Sequence, residues 1–403
     1  MIKENLKYEK SILYLLFGSI YFVQGIALAY FQNFNKSYLS LNKIDEKFIG
    51  TISGILLIPF LMKIFIGVIS DHYPILWLGK RKPYILIGLL SGGVSFLLAG
   101  FVPPNENLVL FSTLIVIGVF SIIIFDASVD GLAIDSTNIL EHGKVQGIMI
   151  AGRSISYFLF VFLFTKLSEK SNYDYIFQII TISMILPIPL LFFNNRNNKV
   201  LKSEKFQWTA FRFLWKPEFL LFSLYAILYS LSSFGVDSQI LYFFKQSFDL
   251  NEEGFNNYDT LRGIGVIIGA VAGWKYIDRL GHKRSSFLAI ILLSIGAFLI
   301  SISWNVHSVY FFGSIWGIAW GFQEAVFLCL SMDIADIRIS ATMFAITVAI
   351  SNIGSLFSEF FTQNMIEFLD YRTLFQFFTC LNLPAIIVLF FFFHIQKEKL
   401  QSQ

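Results

Sequence analysis

Charge is what this sequence has least of. Only 14% of its 403 residues are Asp, Glu, Lys or Arg, where soluble domains carry about 25%. The net charge of +3 is too small and too scattered for a nucleic-acid surface, so no nucleic-acid partner is expected. Two cysteines, Cys329 and Cys380, lie inside apolar runs and predict no disulfide framework. Five histidines, at 72, 142, 282, 307 and 394, stand far apart in loops or at helix ends. They predict neither a metal site nor an enzyme's nucleophile cluster. The Gly-rich loop ending in Gly-Lys-Ser/Thr that would cradle a nucleotide phosphate is missing, which argues against ATP-driven chemistry. No cofactor is expected.

What the chain has in excess is apolar surface. Hydrophobic residues make up 56% and aromatics 18%, with 47 Phe, and the mean hydropathy is +0.67. A globular core of this length cannot hide so much, so the solvent for it is lipid. Apolar runs of about 20 residues recur between short polar breaks. They predict transmembrane helices over 11–31, 48–70, 83–102, 107–134, 144–166, 174–193, 217–245, 258–280, 285–304, 308–332, 341–365 and 373–396. The fold class expected is an all-α membrane protein of twelve transmembrane helices. Its first run exceeds the core of a signal peptide, about 7–15 residues, and no small-residue cleavage site follows it. With the N-terminus in the cytoplasm, about 19 Lys and Arg fall on the inner side and about eight on the outer. Both termini are therefore expected to be cytoplasmic.

The longest polar stretch, 194–216, contains Asn-Asn-Arg-Asn-Asn-Lys. It divides the chain into two expected six-helix bundles, 1–193 and 217–403, joined by a cytoplasmic linker. FDASVDGLAID at 125–135 aligns without gaps to QEAVFLCLSMD at 323–333, pairing Asp126 with Glu324 and Asp135 with Asp333 at a separation of 198 residues. A second echo sets Asp71, Gly79, Lys80, Arg81 and Lys82 against Asp278, Arg279, Gly281, Lys283 and Arg284. Two echoes in the same order mark the halves as pseudo-symmetric repeats.

An acid, then Gly-Lys-Arg-Lys, between the second and third helices resembles the signature of the major facilitator superfamily, and that resemblance covers the full chain. IPFLMKIFIGVISDHYPILWLGKRKPY at 58–84 resembles the folate–biopterin transporter family. YFVQGIALAY in the first helix and DASVDGLAID in the fourth are similar to the muropeptide permease and acetyl-CoA transporter families. Folate–biopterin carriers continue the fourth helix with Val-Val-Glu, where this chain has Leu-Ala-Ile-Asp. The resemblance implies the major facilitator fold, with helices one, four, seven and ten lining a central cavity. It implies secondary transport of a small organic solute, an anion such as a folate or pterin, by alternating access and with protons. A muropeptide- or acyl-CoA-type permease is the alternative, as is a non-transporting assembly factor of the pigment-related branch. Asp71, Lys80, Arg81, Asp278 and Arg279 resemble the superfamily's inner gate, although loop cations also satisfy the positive-inside rule.

An ionised side chain at bilayer depth costs about 2.5–3.5 kcal/mol on insertion scales, so those that persist face a partner or a watery cavity. Lys63, Asp126, Asp130 and Arg153 fall at a similar level of helices two, four and five, with Asp126 and Asp130 one turn apart on one face. They form either a substrate-binding network or a structural salt-bridge cluster. Gln24, Asp126, Asp237 and Glu324 supply one polar group per cavity helix, and Tyr21, Tyr30, Trp316 and Trp320 could stack on a flat substrate ring. Asp237 and Glu324 have no evident cation in their own half, so they are the expected proton-coupling residues, with Glu359 a third. The expected partners are a small-molecule substrate, protons and the lipid bilayer. The chain is expected to act as a monomer in the plasma (inner) membrane.

Overall fold

The computed structural model describes residues 2–75, 79–169, 173–193, 206–249, 252–366 and 368–402. Twelve helices follow one another: α1 Lys10–Leu41, α2 Glu46–His72, α3 Lys82–Ala99, α4 Leu108–Ser136, α5 Ile139–Ser168 and α6 Tyr173–Phe193, then α7 Pro217–Phe248, α8 Glu252–Leu280, α9 His282–Ser301, α10 Val306–Asp333, α11 Ile337–Thr362 and α12 Tyr371–Lys397. Among the described residues, eleven are long and apolar enough to cross a membrane. The remaining one, α8, is a continuous helix of 29 residues. Asp259, Arg262, Lys275, Asp278 and Arg279 dilute its apolar run. Of the expected linker, 194–205 lies outside the described residues, and Trp208–Trp215 forms 3₁₀ turns.

Several helices are broken where the sequence removes a backbone donor. The α2 helix turns at Leu56–Leu57 beside Pro59 and again at Met62, so Lys63 opens a fresh segment, Lys63–His72. Leu186 and Pro187 interrupt α6 in the same way. Without any proline, α7 breaks at Ser238–Gln239, leaving Asp237 as the last residue of its longer part.

The chain divides into two compact units. The first comprises Met1–Asn138, Ala151–Gln207 and Ala335–Ala345; the second comprises Ile139–Ile150, Trp208–Ile334 and Ile346–Gln403. The start of α5 thus belongs to the second unit, and the start of α11 to the first. Inside the first unit α4 packs on α1, α2 and α3, and α6 packs on α3; inside the second α10 packs on α8 and α9, and α12 on α7 and α9. The pairs α2·α4, α3·α4 and α3·α6 correspond to α8·α10, α9·α10 and α9·α12, as a repeat requires.

The two units pack differently within this shared plan. Tyr30, Tyr38, Phe96, Phe111 and Phe177 interlock edge-on or tilted in the first. In the second, glycines at every fourth position of α8 (Gly265, Gly269, Gly273) and of α10 (Gly313, Gly317, Gly321) bring two backbones together. A Cβ on Gly269 would collide with the Ile318 carbonyl, and one on Gly321 with the Val266 carbonyl. Close approach of this kind drives helix association where lipid is as apolar as the side chains.

Candidate functional site

In the first unit the break in α2 sets Lys63 against α4. Its Nζ lies 2.7 Å from Asp126 Oδ2 and 2.8 Å from Asp130 Oδ2. Asp126 and Asp130 are one helical turn apart, which lets a single ammonium bridge them. The Tyr21 hydroxyl of α1 donates to the other oxygen of Asp130 at 2.5 Å. The Arg153 guanidinium of α5 stands 6.0 Å from the Tyr21 ring centroid, within cation–π range. Asp130 is fully enclosed and Asp126 nearly so. The four charges expected at one level are therefore gathered with Tyr21, which was expected only as a stacking surface for a flat ring. Gln24 is buried in the same unit, and its Oε1 has no hydrogen-bond partner among the described residues. Tyr30 is buried with its ring against Phe96 and Phe177 and its hydroxyl 3.3 Å from Asn35 Oδ1, so it packs within the core.

The second unit is built otherwise at the equivalent places. Glu324 stands where the first unit has Asp126 and is half-buried on α10, while Leu328 replaces Asp130. Its neighbour Gln323 donates to the Tyr225 hydroxyl at 2.7 Å. Asp237 is ion-paired with Arg262 of α8, which also holds Asp259 at 2.8 Å. The expectation that Asp237 has no cation in its half is thus corrected. Arg262 lies 25 residues away on the next helix, and the break in α7 exposes Asp237 to it. Trp320 is half-buried against Phe234 and Trp316. The side chain of Glu359 lies outside the described residues.

Gate-like residues form a buried cluster in the first unit and a half-buried one in the second. In the first, Arg81 binds Asp71 through Nη2, Asp135 Oδ2 through Nε at 2.9 Å and Ser70 Oγ through Nη1 at 2.7 Å. Asp71 Oδ2 accepts from the Thr342 amide at 2.8 Å and hydroxyl at 2.5 Å, while Ser340 Oγ donates to Asp135 Oδ1 at 2.6 Å. Asp71 thereby caps the first turn of α11, where amide hydrogens lack helical partners, while Arg81 and Asp135 hold the Ser340 hydroxyl beside it. Burial works against the Arg81 charge, but the Asp135 and Asp71 carboxylates outweigh it and push its pKa above the ordinary arginine value. Lys80 is half-buried beside it, and burial lowers its ammonium below the ordinary lysine value.

The second unit repeats this plan with different chemistry, Asp333 standing 198 residues from Asp135 and Asp278 standing 207 from Asp71. Asp278 accepts from the Gly143 and Lys144 amides at 2.9 and 2.8 Å, capping α5 as Asp71 caps α11. Asp333, the counterpart of Asp135, accepts from His142 Nδ1 at 2.8 Å and from His282 Nδ1 at 2.5 Å. His142 and Lys144 are the equivalents of Ser340 and Thr342. His282 occupies the place of Arg81: its Nε2 lies 3.1 Å from Asp278 Oδ1 and 3.7 Å from Cys329 Sγ. Arg279 is exposed and outside this cluster. His142, His282, Cys329, Asp135 and Asp333 were not among the expected site residues. The signal for them was present, because the repeat that pairs Asp135 with Asp333 continues into the start of the following helix. Two of the five histidines, His142 and His282, far apart along the chain, converge on one carboxylate.

Among the described residues, twelve helices in two repeated sets, each with a polar cluster, define a membrane carrier. The family model of the Major Facilitator Superfamily matches residues 11–358 and, separately, 240–403, and the chain belongs to that superfamily. It is a multi-pass membrane protein of secondary transport, in a family of transporters and not of enzymes. The anhydromuropeptide permeases of two Escherichia coli strains are each 23% identical over 395 residues, covering 94% of this chain and 79% of theirs. Among solved structures, the transporter FucP in its outward conformation superposes with a TM-score of 0.74 at 12% identity, over 94% of this chain and 98% of that one. The human organic anion transporter gives 0.68 at 13% identity, over 94% and 98%. These structural likenesses show the fold.

Proposed function

We propose that this chain carries a small organic anion of muropeptide type, coupled to protons, by alternating access of two bundles, 1–193 and 217–403. In this reading it works as a monomer in the plasma (inner) membrane with both termini cytoplasmic. The observation that carries the proposal is the single Lys63 ammonium shared by Asp126 and Asp130, with Tyr21 and Arg153 beside them.

Two carboxylates on one ammonium in a low-dielectric setting compete with any incoming anion for the same cation. Protonating one carboxylate loosens its hold on Lys63 and frees that charge for a substrate carboxylate or phosphate. Loss of the substrate returns Lys63 to the acids and expels the proton. Anion and proton then travel together, because neither state leaves a buried charge uncompensated. Gln24, with an unpartnered oxygen in the same unit, offers a neutral acceptor for a sugar hydroxyl or an amide.

This moves the centre of proton coupling. Asp237 pairs with Arg262, which removes the reason to expect proton coupling there. Asp126 and Asp130 take the leading role, with Glu324 second as the repeat equivalent of Asp126. The Arg81 cluster is the gate in this scheme: breaking its grip on the first turn of α11 permits the conformational change.

The substrate class rests on the likeness to anhydromuropeptide permeases along 94% of the chain, whereas the folate–biopterin resemblance is confined to residues 58–84. Uptake of radiolabelled anhydro-muropeptide, folate and a CoA ester into proteoliposomes, with and without an imposed pH gradient, tests it. Gradient-stimulated uptake of the muropeptide is expected. Folate uptake in its place would replace the substrate, and no flux of any solute would overturn the transport mechanism.

A further inference from the structure

We propose that the second unit carries a metal site for Zn²⁺ or a similar borderline-soft divalent ion, formed by Asp278 of α8, His282 of α9 and Cys329 of α10. One ligand atom from each of these three side chains lies within 4.8 Å of the others. His282 Nε2 stands 3.1 Å from Asp278 Oδ1 and 3.7 Å from Cys329 Sγ. Tetrahedral Zn²⁺ with bonds of about 2.0–2.3 Å to N, O and S sets its ligands about 3.3–3.7 Å apart, so the three atoms need little movement to share one ion.

The surroundings are those of a supported metal ligand. His282 Nδ1 donates to Asp333, and Asp333 also holds His142. Donation from Nδ1 leaves Nε2 of the neutral ring as a lone pair directed at the carboxylate and the thiol. A carboxylate that orients the far nitrogen of a metal-binding histidine is the recurrent second partner at zinc sites. Nε2 faces two electron-rich atoms, Asp278 Oδ1 and Cys329 Sγ: a second ring proton would serve the carboxylate alone, whereas a bound cation would join all three.

Comparison with the first unit points the same way. There Arg81 fills the equivalent space, and Gly131 leaves room for it: a Cβ on Gly131 would lie 2.8 Å from Arg81 Cζ. Cys329 stands at the repeat position of Gly131. The second unit thus has a thiol and an imidazole where the first has a guanidinium and no side chain. One set carries its cation covalently; the other is built to bind one. His282 and Asp278 side chains keep 15% and 19% of their surface exposed, which gives an ion a path. Binding requires the thiolate, so the Cys329 proton passes to water. A mixed S, N, O set favours Zn²⁺ over Mg²⁺ or Ca²⁺. Bound metal would fasten α8, α9 and α10 together while Asp278 still caps α5.

The test uses the full-length protein in detergent, freed of any polyhistidine tag, titrated with Co²⁺ and then with Zn²⁺. One equivalent of Co²⁺ should raise an intense thiolate-to-cobalt absorption band that Zn²⁺ displaces and Mg²⁺ does not. Cys329→Ser and His282→Gln should abolish the band, Cys380→Ser should leave it, and Asp333→Asn should weaken affinity about 10–100-fold. In the unaltered protein Zn²⁺ should protect Cys329 from alkylation, read by mass spectrometry, which guards against a variant that misfolds. The proposal is overturned if the wild type shows no saturable band, if the band survives Cys329→Ser, or if Zn²⁺ leaves Cys329 alkylation unchanged.

Discussion

The two units solve one structural problem with two chemistries. Each caps the first turn of a helix, α11 in the first unit and α5 in the second, with one acid of a pair. In the first unit a permanently charged arginine neutralises both acids and bonds to Ser70 and Ser340 as well. In the second, two histidines converge on Asp333, and the remaining acid faces an imidazole and a thiol. The same asymmetry runs through the membrane charges. Asp126 and Asp130 share Lys63, whereas the corresponding helix of the second unit keeps Glu324 and exchanges the other acid for Leu328. Duplication preserved the backbone plan and left each unit to find its own counter-charge.

The sharpest way to break this comparison is to remove the fixed charge. Arg81→Gln leaves Asp71 and Asp135 buried without a cation, which costs about 3–5 kcal/mol. Thermal unfolding in detergent should show it as the largest loss of the set, and His282→Gln should lose less. Lys63→Ala strands two acids, but Arg153 remains nearby, so a loss near the lower end, about 3 kcal/mol, is expected. Adding Asp130→Asn should restore part of it. Failure of that second change to rescue would mean that the two residues are not coupled.

A smaller effect separates the two cluster positions. Gly131→Ala forces Arg81 and the Ala341 methyl aside and should cost about 1–3 kcal/mol. At the equivalent place Cys329→Ala removes a thiol without adding bulk and should cost under about 1.5 kcal/mol. Equal losses at both sites would deny that Gly131 exists to admit the guanidinium.

The subtlest prediction concerns pH. Arg81 stays charged throughout the usual range, because its pKa lies above an already high value. The wild-type first-unit cluster should therefore contribute stability that does not change between about pH 5 and 9. Arg81→His converts it into a titrating group. A histidine between two acids has a folded-state pKa raised above its unfolded value, so its stabilisation is present at low pH and is lost as pH rises through the folded value. Melting curves of Arg81→His should fall in temperature across neutral pH, relative to the wild type. A flat difference would show that the acids do not act on residue 81.

Much of this was legible along the chain. Charge scarcity and recurrent apolar runs dictate the helices, and a depth estimate along α2, α4 and α5 was enough to bring Lys63 to Asp126 and Asp130. Pairings that depend on helix breaks were not legible. Asp237 meets Arg262 where α7 breaks after residue 237, and no proline announces that break. The histidine cluster was hidden for another reason. His142 and Asp333 are 191 residues apart, and they meet because the start of α5 belongs to the second unit. Isolation along the chain was the wrong measure; position within the repeat was the right one.

The central claim is that the Lys63, Asp126 and Asp130 group of the first unit couples substrate to protons. Uptake into proteoliposomes with and without a pH gradient tests it most directly, comparing wild type, Asp126→Asn, Asp130→Asn and Asp237→Asn. The account predicts that both first-unit variants lose gradient-stimulated uptake while substrate exchange without a gradient persists, and that Asp237→Asn keeps the stimulation. Undiminished stimulation in Asp126→Asn and Asp130→Asn, with its loss in Asp237→Asn, would contradict it.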